Sequence, residues 1–283
     1  RGHTMPGLAI IAGLGELPVS IAAACEAEGR PVHVFRLAGF VEKRILGYPG
    51  ETIGIGQIGK LIKRLKALDC DEVVFAGIVK RPNFADIKLD LRGAKLLPKV
   101  VKAARDGDDA LLRVIIGELE AEGFRVIAAE TAASILRVGS GLIFGPAPSQ
   151  AQLDDLRKAA NVASSIGRLD IGQGCVVCNG LVLAVEAQEG TDRMLERVSS
   201  LEPELRGTST SRVGVLVKRP KPIQERRIDL PTIGPVTVER AAEAGLAGIG
   251  LEEEGALLLG RDRIGALCEK YGLFLYGFPS NWS

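Results

Sequence analysis

The first half of the chain alternates short apolar runs with stretches of helical periodicity, and this alternation limits the folds available to it. Leu8–Ala12 is an apolar run of strand length, and residues 31–37, 73–76 and 125–129 repeat it after intervening helical segments. Consecutive parallel strands need a crossover, which is usually a helix. Strands that alternate with helices therefore predict an open parallel α/β sheet.

A second pattern begins after residues 145–150, GPAPSQ, where two prolines and small polar residues cannot continue a regular element. Beyond it, two apolar runs flank Asn179-Gly180, a dipeptide that supplies the two positive-φ positions of a type I′ hairpin. Later strands and helices follow without strict alternation, and Thr237 is predicted to cap the helix that ends at Gly245. The sequence predicts a Rossmann-like parallel sheet domain over residues 5–146 and an α+β domain with a mixed sheet over residues 150–283.

Composition indicates a folded protein whose partner is not a nucleic acid. Hydrophobic residues make up 46% and charged residues 25%, and 36 Lys and Arg against 35 Asp and Glu leave a net charge of +1. A near-neutral chain offers no electrostatic basis for binding a polyanion, and 4% aromatics are too few for a base-stacking surface. No apolar run approaches the ~18–20 residues that cross a bilayer.

The N-terminus and the five cysteines indicate a cytoplasmic protein. Residues 1–4 read as a remnant of an expression tag, so we expect the natural chain to begin at Met5 without a secretory signal. Five cysteines in such a chain predict reduced thiols. Cys175 and Cys178 form a C-x-x-C pair, but residues three apart in a strand point to opposite faces, and zinc needs two further ligands. We expect packed thiols here.

A glycine-rich loop follows the first strand and leads into the first helix, and Pro18 is predicted to occupy the first position of that helix. Backbone N–H groups at such a helix start can hold a phosphate group. The dinucleotide fingerprint G-x-G-x-x-G is incomplete, because Pro18 replaces the third glycine and no acidic residue ends the second strand, which disfavours NAD. Arg36 could hold a 2′-phosphate, so an NADP-dependent oxidoreductase stays an alternative. The predicted ligand contacts are Gly13, Leu14, Gly15 and Glu16.

The loop after the third strand carries two cations. Arg81 can bind a diphosphate through paired hydrogen bonds and Lys80 as a point charge, on a turn stiffened by Pro82. A solvated basic turn fits the same residues equally well. Thr131, after the fourth strand, is a weaker candidate on the same sheet edge.

A basic segment over residues 217–235 holds the residue types that phosphoanhydride hydrolysis needs. Lys218 and Lys221 can stabilise charge on phosphate oxygens, and Gln224 follows them. Asp229 offers hard carboxylate oxygens for Mg²⁺ or Mn²⁺, which neutralise diphosphate charge and can activate water. Composition alone slightly favours a surface loop.

Further candidates flank the predicted hairpin. Carboxylates and a Thr-Asp pair at a helix start could complete a metal or phosphate site, although most such acids are solvated. These candidates are Gln173, Gly174, Glu186, Glu189, Thr191 and Asp192, of which the first two and the last two are predicted substrate contacts.

Several of these motifs resemble those of one enzyme family. Residues 218–224, KRPKPIQ, followed by residues 229–235, DLPTIGP, are similar to the C-terminal motif of the LpxI-type UDP-2,3-diacylglucosamine pyrophosphatases of lipid A synthesis. Residues 13–18, GLGELP, and 80–82, KRP, look like the N-terminal domain of that family. The likeness extends from Met5 to the C-terminus, and its most specific part is the segment that begins at Asp229.

The resemblance implies a metal-dependent hydrolase that binds its substrate between two domains. It implies Mg²⁺ or Mn²⁺ as cofactor, with UMP and 2,3-diacylglucosamine 1-phosphate (lipid X) as products. Asp229 would be the essential carboxylate and metal ligand, assisted by Lys218, Lys221 and Gln224. A lipid-linked substrate implies transient, peripheral contact with the cytoplasmic face of the inner membrane, and a homodimer is compatible with it. A non-catalytic nucleotide or lipid carrier is a second alternative.

Overall fold

The computed structural model describes residues 7–80, 83, 86–106, 108–223, 226–227 and 230–282. The chain divides into two units, Arg1–Ser134 and Ile135–Ser283. Gly141–Phe144 already forms a strand in the sheet of the second unit. The predicted division at residues 146–150 therefore falls inside the second unit, where the proline-rich segment joins a strand to the following helix.

The first unit contains a parallel sheet. Its strands are β1 (Leu8–Ala12), β2 (Val32–Leu37), β3 (Gly50–Ile53), β4 (Glu72–Ala76) and β5 (Arg125–Val126). They pair in parallel in the order β3-β2-β1-β4-β5, as the alternating pattern predicts. The direction of winding reverses between β1 and β4, and ligands of open α/β sheets bind outside the carboxyl ends of strands at such a reversal.

Helices cover this sheet and bury its central strand. Every residue of β1 is buried, because a parallel strand covered on both faces is apolar throughout. α2 buries Ile58, Leu61, Ile62 and Leu65 at the spacing of one helix face. The helices of the unit are α1 (Glu16–Ala27), α2 (Ile58–Ala67), α3 (Leu91–Asp106), α4 (Asp108–Ala121) and α5 (Ala129–Ala132).

Several elements of the first unit differ from the sequence prediction. β3 and α3 were not anticipated, because β3 reads GETI with polar residues and α3 contains a glycine and Pro98. α1 begins at Glu16 with Gly15 as its N-cap, two residues before the proline expected to open it. β5 ends at Val126, since Ala129 already begins α5.

The second unit contains the mixed sheet that the sequence predicts. Its strands are β6 (Gly141–Phe144), β7 (Gly174–Cys178), β8 (Leu181–Val185), β9 (Val215–Lys218), β11 (Gly248–Glu252) and β13 (Phe274–Phe278). Their order is β6-β13-β11-β9-β7-β8, and β10 (Thr232–Ile233) pairs separately with β12 (Leu257–Leu258). β9, β11 and β13 run parallel, whereas β6, β7 and β8 each pair antiparallel with a neighbour.

Two apolar clusters pack on opposite faces of this sheet. Val176, Leu216 and Leu251 belong to one cluster, and Val177, Val215 and Val217 to the other, so alternate residues of each strand serve opposite faces. The helices are α6 (Gln150–Arg168), α7 (Gly190–Ser199), α8 (Pro203–Arg206), α9 (Pro235–Glu243) and α10 (Arg261–Tyr271). α9 begins at Pro235, and its N-cap is Gly234. The prediction that Thr237 caps this helix is therefore wrong.

The β7–β8 hairpin is confirmed. Asn179 and Gly180 both have positive φ, at 49° and 78°, as a type I′ turn requires. Among the described residues, no helix is long and apolar enough to cross a membrane.

Candidate functional site

The two loops at the winding reversal of the first sheet are joined by backbone hydrogen bonds. The N–H of Leu14 donates to the carbonyl of Ile78 at 2.9 Å, and the N–H of Ile78 donates to the carbonyl of Leu14 at 2.8 Å. A Cβ atom on Gly13 would lie 2.6 Å from the Ile78 carbonyl, and one on Gly77 would lie 2.6 Å from the Leu14 carbonyl. Both glycines are therefore required by the close approach of the loops.

Gly15 plays a different part in the first loop. Its φ is 98°, a conformation that favours glycine, and a Cβ atom there would meet nothing within 4 Å. No side chain caps the first turn of α1. The structure thus leaves an open N-terminus, whose backbone N–H groups can receive an anion.

The remaining predicted contacts of the first unit lie around this edge. Lys80 is exposed at the end of the second loop, and Arg81 lies outside the described residues. Glu16 is in the first turn of α1, with a guanidinium nitrogen of Arg44 4.0 Å from its carboxylate. Thr131 is exposed on α5, after β5.

Arg36 does not fit the role that an NADP site would require. Its side chain is buried, and Nη2 donates to the backbone carbonyls of Ile45 at 3.3 Å and Tyr48 at 2.5 Å. The guanidinium thus holds the segment after β2. Because it is buried and bonded to backbone carbonyls, Arg36 no longer supports the NADP alternative.

A second group of candidates meets at one edge of the mixed sheet. Gly174 at the start of β7 pairs with Lys218 at the end of β9, and its carbonyl accepts from the N–H of Glu186 at 2.9 Å. Directly paired residues project to the same face of a sheet. Lys218 therefore projects from the face on which a side chain at position 174 would lie. A Cβ atom on Gly174 would lie 2.5 Å from Oε2 of Glu186. The carboxylate therefore occupies the space that the glycine leaves.

Two buried oxygen atoms at this edge lack hydrogen bonds. Glu186 is 6% exposed and Lys218 is 5% exposed. Oε2 of Glu186 and Oε1 of Gln173 are buried and have no hydrogen-bond partner among the residues that the structure describes. Buried polar atoms are rarely left unpaired, so these oxygens are suited to a bound donor or a hard cation.

An ion network that the sequence analysis missed adjoins the same edge. Glu252 at the end of β11 is 1% exposed and accepts from Arg219 Nε at 2.9 Å and from Arg226. Arg219 also donates to the carbonyls of Ser280 at 2.9 Å and Trp282 at 3.3 Å. No local pattern links these residues, which lie far apart in sequence. Arg219 thus fixes the end of β9, from which the basic segment leaves.

The other predicted residues of the second unit have mixed surroundings. Lys221 Nζ lies 2.8 Å from Oδ1 of Asp170. Thr191 and the exposed Asp192 lie in the first turn of α7. The predicted catalytic residues Gln224 and Asp229 lie outside the described residues.

Glu189 and the two cysteines of the hairpin region have surroundings that do not suit a binding site. Glu189 pairs with Arg197 at 2.6 Å, and backbone hydrogen bonds together with this guanidinium lower the pKa of the Glu189 carboxyl. Cys175 and Cys178 are fully buried, and burial raises the pKa of the first thiol to about 12 and of the second to about 11.

Within the described ranges, no group of three or more His, Cys, Asp and Glu side chains could hold a metal ion.

Comparison with known proteins decides the family. Residues 7–136 match the model of the LpxI N-terminal domain, and residues 139–276 match that of the LpxI C-terminal domain. The chain belongs to the LpxI family. It is 50% identical over 273 residues to the UDP-2,3-diacylglucosamine pyrophosphatase LpxI of Caulobacter vibrioides, covering 96% of this chain and 98% of that relative.

The family assignment confirms the resemblance drawn from the basic segment and the loops. The two family models meet between residues 136 and 139, close to the division between the compact units. Each family domain therefore contributes one of the sheet edges described above.

Proposed function

We propose that this chain hydrolyses the diphosphate bond of UDP-2,3-diacylglucosamine, releasing UMP and 2,3-diacylglucosamine 1-phosphate for lipid A synthesis. The observation that carries the proposal is 50% identity, over 96% of the chain, to a relative with that named activity. Both sheet edges support it, because each carries groups whose chemistry suits a phosphate ligand. The enzyme works in the cytoplasm and meets its lipid substrate at the inner-membrane surface.

In the first unit, the open N-terminus of α1 and the exposed Lys80 bind negative charge. Backbone N–H groups behind Gly15 orient phosphate oxygens, while the hydrogen-bonded pair of loops holds their geometry. Lys80 adds a point charge at the same edge. Because the loops are fixed before the ligand arrives, little ordering entropy is lost on binding.

In the second unit, Lys218 and Glu186 project beside Gly174 at the start of the basic segment. The ammonium group of Lys218 stabilises charge that develops on the phosphate oxygens. Asp229 accepts the proton of the attacking water, whose oxygen forms a new bond to one phosphorus. The bridging oxygen leaves with the other phosphorus, so one diphosphate becomes two monophosphates.

The donor set fits a divalent cation. Oε2 of Glu186 and Oε1 of Gln173, which have no hydrogen-bond partner among the described residues, are hard oxygen donors of the kind that Mg²⁺ and Mn²⁺ prefer. The carboxylate of Asp229 is proposed as a further ligand of the same kind. Such an ion supplies charge neutralisation and Lewis acidity when bound. Lys221 and Gln224 complete the proposed catalytic set on the same segment.

Phosphorus NMR of the purified protein with its lipid substrate tests this function. We expect UMP and the sugar phosphate to accumulate with Mg²⁺ or Mn²⁺, and turnover to stop with EDTA. Asp229→Asn should lower kcat on the order of 10³-fold and still bind intact substrate, while the matched control Asp154→Asn on α6 should be unaffected. Binding without cleavage under all metal conditions would indicate a carrier, and full turnover after metal removal would exclude the metal.

A further inference from the structure

The outer face of α3 carries a row of exposed cations. Lys95, Lys99, Lys102 and Arg105 are all exposed, and none of them forms an ion pair with a carboxylate whose side chain the structure describes, a set that leaves out Asp106, Asp108 and Asp109. The neighbouring cation Arg92 differs, because it pairs with Glu118 at 2.6 Å and Glu122 at 2.7 Å. The unpaired charge is thus confined to the outward-facing row.

An exposed leucine continues the same row. Leu91 is 87% exposed, and positions 91, 95, 99 and 102 share one helix face because they are separated by four, four and three residues. The opposite face buries Leu96 and Ala104. An aliphatic side chain that extends into water beside lysines combines the two kinds of group by which an interfacial helix contacts a bilayer.

A groove runs beside this face on the side toward α4 and reaches Leu96 on the buried side of the helix. It encloses about 440 Å³ and is lined by the two leucines, three cations and one paired acid, namely Leu91, Leu96, Arg92, Lys95, Lys99 and Glu118. Apolar walls with a cationic rim suit a ligand that joins an anionic group to an aliphatic chain.

The N-terminus of α3 lies at the carboxyl edge of the first sheet. A Cβ atom on Gly56, three residues beyond β3, would lie 2.5 Å from Ile87 and 2.7 Å from Leu89, and the N–H of Asp90 donates to the Gly56 carbonyl at 3.3 Å. Ile78, at the same edge, is 66% exposed. Exposed aliphatic residues therefore continue from the groove toward the loops that bind negative charge.

We propose that the outer face of α3 docks this protein onto a bilayer that contains anionic phospholipid. The occupant follows from charge complementarity, since lysines without internal partners face outward beside aliphatic side chains. The proposal deepens the proposed function, because it names the surface by which an enzyme of a membrane lipid reaches its substrate. Only the biological purpose of the docking rests on the proposed function. The docking itself is inferred from the residues of α3.

Sedimentation with vesicles tests the docking without any substrate. The wild-type protein should bind vesicles of phosphatidylcholine mixed with phosphatidylglycerol, and bind those of phosphatidylcholine alone far more weakly. Each lysine near an anionic surface contributes about fivefold, so Lys95→Gln, Lys99→Gln and Lys102→Gln together should lower the partition coefficient on the order of 100-fold. Leu91→Ser should lower it about tenfold through lost apolar burial.

Matched controls separate docking from folding and from catalysis. Neutralising three exposed cations of the second unit, with Lys158→Gln, Arg263→Gln and Lys270→Gln, should leave vesicle binding unchanged. The α3 triple variant should keep the wild-type melting temperature and cleave substrate in detergent micelles normally, but cleave substrate in vesicles slowly. Vesicle binding without any turnover would refute the proposed function and leave the docking intact.

Two results would overturn the docking proposal. One is equal binding of the wild-type protein and the α3 triple variant to anionic vesicles. The other is a wild-type protein that ignores vesicles and forms an oligomer that the triple variant loses, which would assign the α3 face to a second copy of the chain.

Discussion

At the scale of single residues, Glu186 lies in surroundings that lower the stability of the fold. Oε2 of this carboxylate is buried without a partner in the described part of the chain, and an unpaired buried polar atom costs stability. Groups of this kind persist where function requires them. From the sequence, Glu186 is expected to be a solvated turn acid, because nothing local shows that the pairing of β7 with β8 buries it.

Glu186→Gln should therefore separate stability from activity. A neutral amide is less costly to bury than a carboxylate, so we expect the free energy of unfolding to rise by about 1 kcal/mol. The loss of the negative charge should lower kcat by roughly tenfold or more. Urea unfolding and the phosphorus NMR assay measure the two effects, with the exposed Glu202→Gln as control. A variant that is less stable but fully active would show that the carboxylate is structural.

At the scale of elements, the β7–β8 hairpin depends on a carboxylate from α6. Asp155 accepts from the N–H of Asn179 at 2.9 Å and from the N–H of Gly180 at 2.7 Å. The aspartate is buried, whereas its neighbour Asp154 is exposed and accepts a hydrogen bond from Gln150 within the same helix. The turn that the dipeptide specifies locally is thus also held from outside.

Asp155→Ala should destabilise the second unit far more than Asp154→Ala. The first change removes two hydrogen bonds to a charged acceptor and leaves two turn N–H groups without their partner, so we expect a loss of about 2–4 kcal/mol. The second should cost less than about 0.5 kcal/mol, as is usual for exposed sites. Urea unfolding monitored by circular dichroism measures both. Similar losses for the two variants would mean that the turn is stable without α6.

Elements were predictable where the determinants are local. The hairpin follows from Asn179-Gly180, and the parallel sheet from the alternation of apolar runs with helices. β3 was missed because an edge strand buries little, and only Ile53 of its residues is buried. The predicted start of α9 is too late, because its N-cap residue Gly234 has no side chain that could reveal the cap in the sequence.

The candidate site was predictable only in part, because its partners come from distant strands. The loops after β1 and β4 were identified from their positions, and the structure joins them. The setting of Glu186 and the ion network at Glu252 depend on strand order, which local patterns do not specify. The predicted roles of Asp229, Gln224 and Arg81 stay predictions, since these residues lie outside the described ranges.

At the scale of the whole molecule, every cysteine is buried. Two thiols lie in the first unit and three in the second, and burial raises the pKa of each, to about 11 for Cys268. The thiolate is the reactive form, so both burial and protonation protect these side chains. Because the folded-state pKa values exceed the ordinary one, the stabilisation from neutral thiols is full below about pH 9 and is lost at higher pH.

Native protein should therefore resist alkylation by iodoacetamide at pH 8, and all five thiols should react after unfolding in urea. Mass spectrometry counts the labels. Ser165→Cys, at an exposed position of α6, is a positive control that should react within the folded protein. Rapid labelling of Cys175 or Cys178 without denaturant would show that β7 opens on its own, and would reopen a redox or metal role for the pair.

The network around Arg219 has a spectroscopic consequence. The chain contains a single tryptophan, Trp282, whose ring stacks on Phe278 with centroids 5.4 Å apart and whose carbonyl is bonded to Arg219. Arg157 lies over the same ring at 5.2 Å. Intrinsic tryptophan fluorescence therefore comes from one indole, placed beside the strand end from which the basic segment leaves. Any ligand or metal that rearranges Arg219 would change that emission, so the molecule carries its own optical probe of this edge.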